Sequence, residues 1–212
     1  ITISGSEDNA PFDLSLLTGA TDPEGQALSV SGLSLVSGNG AGITDNGDSI
    51  NIDPGAYSDL GAGENEVIVY SFNIDDTQGG STVQTATITL TGANDAPVAV
   101  DLSIAATEDG SPVTEFFDAN DTDLSDDGNL SFNILSQPTE GSVAINPADE
   151  TQFIFNPGAN FQDLAAGETR DVTFTYTADD GQGLPNSISA PATVTVTVTG
   201  TNDNPIANTD EG

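Results

Sequence analysis

From Ala192 to Thr199 the chain reads Ala-Thr-Val-Thr-Val-Thr-Val-Thr. An apolar residue at every second position, with threonine between, suits an extended strand that buries one face; a helix would scatter the valines around its circumference. Thr85 to Leu90 does the same, with Ala86, Ile88 and Leu90 set between Thr85, Thr87 and Thr89. Two longer stretches join them. Ile68, Tyr70, Phe72 and Ile74 alternate with Val69, Ser71 and Asn73, and Val172, Phe174, Tyr176 and Ala178 alternate with Thr173, Thr175 and Thr177. No segment carries a helical period. The alternation outweighs the disorder that an acidic, aromatic-poor composition would otherwise suggest. The chain reads as all-β.

These strands come in two matching sets. The phrase Thr91-Gly92-Ala93-Asn94-Asp95-Ala96-Pro97 returns as Thr199-Gly200-Thr201-Asn202-Asp203-Asn204-Pro205. Gly, Asn-Asp and Pro in that order make an extended joint, neither helix nor continuing strand. Each unit opens with a short strand, Ile1 to Ser4 or Val98 to Ile104, and then Ser6-Glu7-Asp8 or Thr107-Glu108-Asp109. Acidic turns follow at Asp22-Pro23-Glu24 and Asp121-Thr122-Asp123. Next come Ile52-Asp53-Pro54-Gly55 and Phe155-Asn156-Pro157-Gly158, then Glu64 and Glu168 before the long strands, which end in Asp75-Asp76 and Asp179-Asp180. The reading gives one repeat over 1–94, a second over 95–202, and a linker with the start of a further repeat over 203–212, because Asp210-Glu211-Gly212 matches a repeat opening. The chain is expected to be part of a longer array. About seven short strands with turns between them predict two tandem Greek-key, immunoglobulin-like β-sandwiches joined end to end. A closed barrel is the alternative architecture.

Composition narrows the partners. Thirty-four acidic side chains face one basic one, Arg170, for a net charge of -33. Nothing could neutralise phosphates, so nucleic acid is excluded, and anionic membrane surfaces go with it. No apolar run is long enough to span a bilayer. There is no His, Cys or Lys for acid–base or nucleophilic chemistry, and the fold cannot rest on disulfides. The reading is of a protein that is not an enzyme.

Most of the carboxylates fall in loops, while threonine dominates the outward strand faces. Successive loops of a sandwich alternate between its two ends. On that count Glu7 and Glu64 share one end of the first unit, with Glu108 and Glu168 at the matching end of the second. Asp121, Asp123 and Asp179 or Asp180 share the opposite end of the second unit. Glu7, Glu64, Asn94, Asp95, Asp121, Asp123 and Asp179 or Asp180 are then expected to converge on one seam, and Glu108, Glu168 and Asp203 begin the next. A single acid reads as solvated surface charge; so many at one place would repel without a cation. Calcium takes six to eight oxygens in loose geometry. Zinc prefers nitrogen or sulfur donors, which this chain lacks. The cofactor expected is Ca2+. The spacing is not that of an EF-hand, whose twelfth-position Glu is missing.

With these residues in hand, the chain resembles cadherin-type repeats, in particular the bacterial cadherin-like repeats of long calcium-binding surface adhesins of the RTX kind. The resemblance rests on Glu108 in the first loop, Asp121-Thr122-Asp123, Glu168, Ala178-Asp179-Asp180, and the joints Asn94-Asp95 and Asn202-Asp203-Asn204. It implies an extracellular, cell-surface protein whose tandem domains are stiffened by calcium at their joints. The partners implied are neighbouring repeats of the same chain, with cell-surface or polysaccharide ligands beyond them. Gly92 and Gly200 stand where animal cadherin linkers carry Asp. Ala96 replaces the second Asn of that motif, and unit one has Asp22-Pro23-Glu24 in place of Asp-x-Asp.

Remaining features take plainer readings. Arg170 aligns with Glu66 and reads as a surface residue. Tyr57 and Phe161, at matching loop positions, read as small-core aromatics, not platforms for sugar. Asn120-Asp121-Thr122 and Asn129-Leu130-Ser131 match a glycosylation sequon that counts only in a eukaryotic secretory host. The function expected is a calcium-stiffened extender that projects an adhesive domain for cell adhesion or biofilm formation. A carbohydrate-binding module of a secreted protein is the alternative.

Overall fold

A computed structural model describes residues 1–205 and divides them into two compact units. The tail Asp210-Glu211-Gly212, read above as a repeat opening, lies outside the described residues. No α-helix occurs among the described residues, and none of their helical turns could cross a membrane.

The first unit comprises Ile1–Asp95 together with Thr122–Asp126. Its strands are β1 (Thr2–Ser6), β2 (Phe12–Ser15), β3 (Ser29–Ser37), β4 (Ile43–Asp45), β5 (Ser49–Ile52), β6 (Asn65–Asp75) and β7 (Ser81–Thr91). One sheet runs β1-β7-β6-β3 and the other β2-β5-β4, with β1 parallel to β7. β6 and β7 form a long hairpin closed by Asp76, whose Oδ1 accepts the amides of Gln78 and Gly80. The alternation read from the sequence is the alternation of burial. Ile68, Phe72, Ala86, Ile88 and Leu90 are buried and meet Leu14, Leu16, Ile50 and Ile52 from the facing sheet. Tyr57 is buried as well; its hydroxyl donates to the Asn39 carbonyl at 2.7 Å and accepts from the Gly42 amide at 3.2 Å.

The second unit holds β8 (Val98–Ala99), β9 (Leu102–Thr107), β10 (Val113–Phe116), β11 (Ala119–Asn120), β12 (Ser131–Ile134), β13 (Ser142–Ile145), β14 (Gln152–Asn156), β15 (Thr169–Asp179) and β16 (Ala192–Thr199). Sheets run β12-β15-β16-β9 and β10-β14-β13, with a short pair β8-β11. The opening stretch read as one strand from Val98 to Ile104 is two. It changes sheets at Val100 and Asp101, because the Val100 amide is held by the Asp118 carbonyl while Asp101 Oδ1 accepts the Thr193 amide on β16. The short strands β4 and β13 were not legible either. Val194, Val196 and Val198 are fully buried against Phe153, Phe155, Phe174 and Tyr176.

Arg170 lies at the surface of this unit, forked between Glu140 at 3.0 Å and Asp163 at 2.7 Å. Phe161 is buried, as expected of a core aromatic.

Candidate metal site

Each unit carries a glutamate in the turn that leaves its parallel strand. The Glu7 amide bonds the Thr91 carbonyl and the Glu108 amide bonds the Thr199 carbonyl, both at 3.1 Å, so the parallel pairing runs one residue past the strand. That extra rung draws the side chain beneath the outgoing peptide. Glu7 is 3% exposed and Glu108 is fully buried. Glu7 Oε1 accepts the Ala93 amide at 2.6 Å, and Glu108 Oε1 accepts the Thr201 amide. The other oxygens, Glu7 Oε2 and Glu108 Oε2, are buried without a hydrogen-bond donor. A buried carboxylate oxygen left that way is costly. The same arrangement occurs in both units.

More negative charge surrounds Glu7. Burial pushes its carboxyl above the usual glutamate range; the Ala93 amide opposes this, and the charges of Asp123, Asp95 and Asp8 add to it. Within the first unit Asp123 is fully buried, and its Oδ2 accepts the Asp95 amide at 3.1 Å. Its carbonyl accepts the Asp126 amide at 2.9 Å, and the Leu124 amide bonds the Asp59 carbonyl, which seats this short segment. Asp126 is buried too. In the second unit Glu108, Asp109 and Asp203 each bring an oxygen within 4.8 Å of the others. Thr201 Oγ1 and Gln162 Nε2 donate to Asp109 and hold it below the usual aspartate range, Gln162 first.

Glycine at the start of each joint has a packing reason. A Cβ on Gly92 would lie 2.2 Å from the Gly61 carbonyl, and one on Gly200 would lie 2.4 Å from the Ala165 carbonyl. Both glycines are tied to those loops: the Gly92 amide bonds the Glu64 carbonyl and the Gly200 amide bonds the Glu168 carbonyl. A side chain at either position would require the neighbouring loop to shift.

The other sequence-derived candidates are placed as follows. Glu64 and Glu168 are exposed, and each turns one oxygen back onto its own loop, accepting from the amides of Gly61 and Ala165. Glu168 stands outside the group of Glu108, Asp109 and Asp203. Asn94 and Asn202 fold their side-chain amides onto the carbonyls of Asp95 and Asp203. Asp121, Asp179 and Asp180 belong to the second unit. Asp121 and Asp180 are buried. The Asp121 amide donates to Asp127, while Asp179 and Asp180 accept the amides of Gly181 and Gln182. Asp109 was not among the expected ligands, and could have been found from its place beside Glu108.

The donor set fits a hard cation. It is all oxygen, clustered, partly buried, and includes two orphaned carboxylate oxygens, which suits calcium and not zinc. Glu7 with Asp95 and Asp123 in one unit, and Glu108, Asp109 and Asp203 in the other, are the residues that would hold it.

The folds and these sites define a repeat of the cadherin type. Residues 94–200 match the family model of the bacterial cadherin-like domain, and residues 1–91 match that of the cadherin-like domain. The chain belongs to the cadherin-like family and consists of two tandem repeats. It is similar in fold to Drosophila N-cadherin EC1-4, at 14% identity and a TM-score of 0.54, over 95% of this chain and 47% of that one. It thus spans about half the length of that solved chain. Human mucin-like protocadherin EC1-2 aligns at 15% identity and a TM-score of 0.46, over 84% of this chain and 86% of that one. Protocadherin gammaB7 EC3-6 aligns at 19% and 0.45, over 92% and 51%. No curated protein sequence matches the chain.

Proposed function

We propose that these repeats are calcium-binding extenders of an extracellular bacterial surface adhesin of the RTX kind. Calcium occupies the acidic ends of the repeats, stiffens the tandem, and so projects an adhesive domain for cell adhesion or biofilm formation. The observation that carries this reading is the buried, donorless oxygen on Glu7 and its counterpart on Glu108. Both lie in the turn next to a joint, in a chain with one basic residue. The protein acts mechanically and not as an enzyme; the candidate glutamates, Glu7 and Glu108, sit in turns next to the joints. The surface location and the biofilm role rest on the resemblance to bacterial cadherin-like repeats.

The test is small-angle scattering with a thermal melt on one sample, in EDTA and then across a calcium titration. Calcium is expected to raise the melting temperature and to turn a flexible pair into an extended one. Replacing Asp123 by Ala should remove the extension while both repeats stay folded. If melt and shape ignore millimolar calcium, the acids only solvate the surface. A saccharide array then becomes the next assay, for the carbohydrate-binding reading.

A further inference from the structure

Asparagine followed by glycine occurs twice in the chain, at Asn39-Gly40 and Asn46-Gly47, both in the first unit. The pair carries its own chemistry: the glycine nitrogen can attack the asparagine side-chain carbon, since glycine has no Cβ to block the approach. The structure sets the two pairs apart. Asn46 lies in the turn between β4 and β5, where its own amide bonds the Ser49 carbonyl at 2.9 Å and Asp45 Oδ1 holds the Gly47 amide at 2.8 Å. The nitrogen that would attack is engaged. Asn39 lies between β3 and β4, and there the bonds fall on other atoms. Its Oδ1 accepts the Ala41 amide at 3.0 Å, its amide donates to Glu66 Oε1, and its carbonyl accepts the Tyr57 hydroxyl at 2.7 Å. None of these bonds engages the Gly40 amide. The bond from Ala41 draws electrons from the side-chain carbon and steadies the oxyanion that attack produces. Asn146 and Asn156 make the same turn, accepting the amides of Ala148 and Gly158, but Pro147 and Pro157 follow them and have no N–H to give up. The matching connection of the second unit, Gln137-Pro138-Thr139-Glu140-Gly141, holds no asparagine.

We propose that Asn39 is a site of spontaneous deamidation. The Gly40 nitrogen gives its proton to hydroxide and bonds to the Asn39 side-chain carbon. The bond from that carbon to the side-chain nitrogen breaks, and the nitrogen takes a proton from water and leaves as ammonia. The cyclic imide then takes up one water. Opening at the side-chain carbon leaves an aspartyl residue, and opening at the main-chain carbonyl leaves an isoaspartyl one. Water is the only co-reactant, and the loop gains one carboxylate. Either product disturbs its surroundings. The new charge adds to that of Glu66, which already holds the Asn39 amide. The isoaspartyl link also adds a methylene to the main chain between the Tyr57 tie and Gly42, whose amide bonds the same hydroxyl. Little room exists to absorb it: a Cβ on Gly38 would lie 2.4 Å from the Val67 carbonyl, and one on Gly40 would lie 2.8 Å from the Tyr70 hydroxyl. The reaction thus marks the age of the chain in one repeat and loosens that repeat's β3–β4 loop. It is independent of calcium.

The test holds the full chain in EDTA, warm and at mildly alkaline pH, and follows its peptic peptides by mass spectrometry for the small mass gain of exchanging NH2 for OH. Asn39 is expected to convert about five- to tenfold faster than Asn46, the ratio that one hydrogen bond on the attacking amide is worth. Labelling by an isoaspartyl methyltransferase should rise in the Asn39 peptide first. In urea the two rates should converge. Asp45→Ala, which frees the Gly47 amide, should speed Asn46 and leave Asn39 unchanged. The aged parent chain should melt lower in its first unit, and an Asn39→Gln chain aged beside it should not. Equal rates at the two asparagines in the folded chain, or no conversion at Asn39, would overturn the proposal.

Discussion

The two repeats build one core from different side chains. Where the first unit buries Leu16, Ile50 and Ile52, the second buries Phe117, Phe153 and Phe155 at matching places in its strands. The second unit gains ring packing in exchange: Phe117 stacks on Phe132 at 4.8 Å, and Phe153 meets Phe174 edge-on at 5.1 Å. At the loop aromatic the balance reverses. Tyr57 ties its loop with two hydrogen bonds, whereas Phe161 fills the same place by packing alone, with a backbone φ of 69°. The comparison separates what the fold requires from what it tolerates. Alternation of burial, the close glycine approach at the joint and the glutamate in the first turn are kept in both units. The identity of the apolar group is not.

The largest expected effect sharpens this difference. Phe155→Ala, at a fully buried position, should destabilise the second unit by about 3–5 kcal/mol, and Ile52→Val in the first by only about 0.5–1.5. Denaturant unfolding followed by circular dichroism reads both, and equal losses would break the comparison. Next come the shared glycines. Gly92→Ala and Gly200→Ala each push a methyl into a carbonyl, at an expected cost of about 1–3 kcal/mol apiece by overpacking. A neutral result at either would mean that the joint approach is adjustable. Smaller still is the second unit's Arg170 fork, which the first unit replaces by Glu66. Arg170→Gln should lower the melting of the second unit only slightly, since the pair is solvent-screened. Smallest is a titration. Hydroxyl bonds from Ser31 and then Ser81 hold Asp75 below the usual aspartate value of 3.8. A folded value below the unfolded one gives stability that is present above the ordinary value and lost as pH falls through the lowered one. Carbon-detected NMR of Asp75 should show the low midpoint, and Ser31→Ala should move it back up.

Much of this was legible in the alternation. Every residue that the period placed inward on β7 and β16 is fully buried, because threonine and valine at spacing two leave a strand only one apolar face. The first-turn glutamates were legible as a repeated pair, though not that each would be drawn under the joint by one extra parallel rung. The break at Val100 and Asp101 was not legible. A strand that changes sheets keeps its apolar alternation, and the change is decided by partners distant in sequence, Asp118, Tyr176 and Thr193. The residue pattern predicts Asp123 beside Glu7 and Asp95, but not that the Leu124 amide bonds the Asp59 carbonyl and holds Thr122–Asp126 within the first unit. Glu64 and Glu168 were legible as a matching pair, though not that each would turn one carboxylate oxygen back onto its own loop.

The most direct test of the account is calorimetric titration of calcium into the intact chain beside its Glu7→Gln and Glu108→Gln variants. Glutamine keeps an acceptor for the Ala93 or Thr201 amide and removes the charge, so both variants should stay folded and melt no lower than the parent in EDTA. Each variant is expected to lose calcium affinity at least tenfold at one class of site. Unchanged binding in both would contradict it, and would leave the buried oxygens of Glu7 and Glu108 without a cation to explain them.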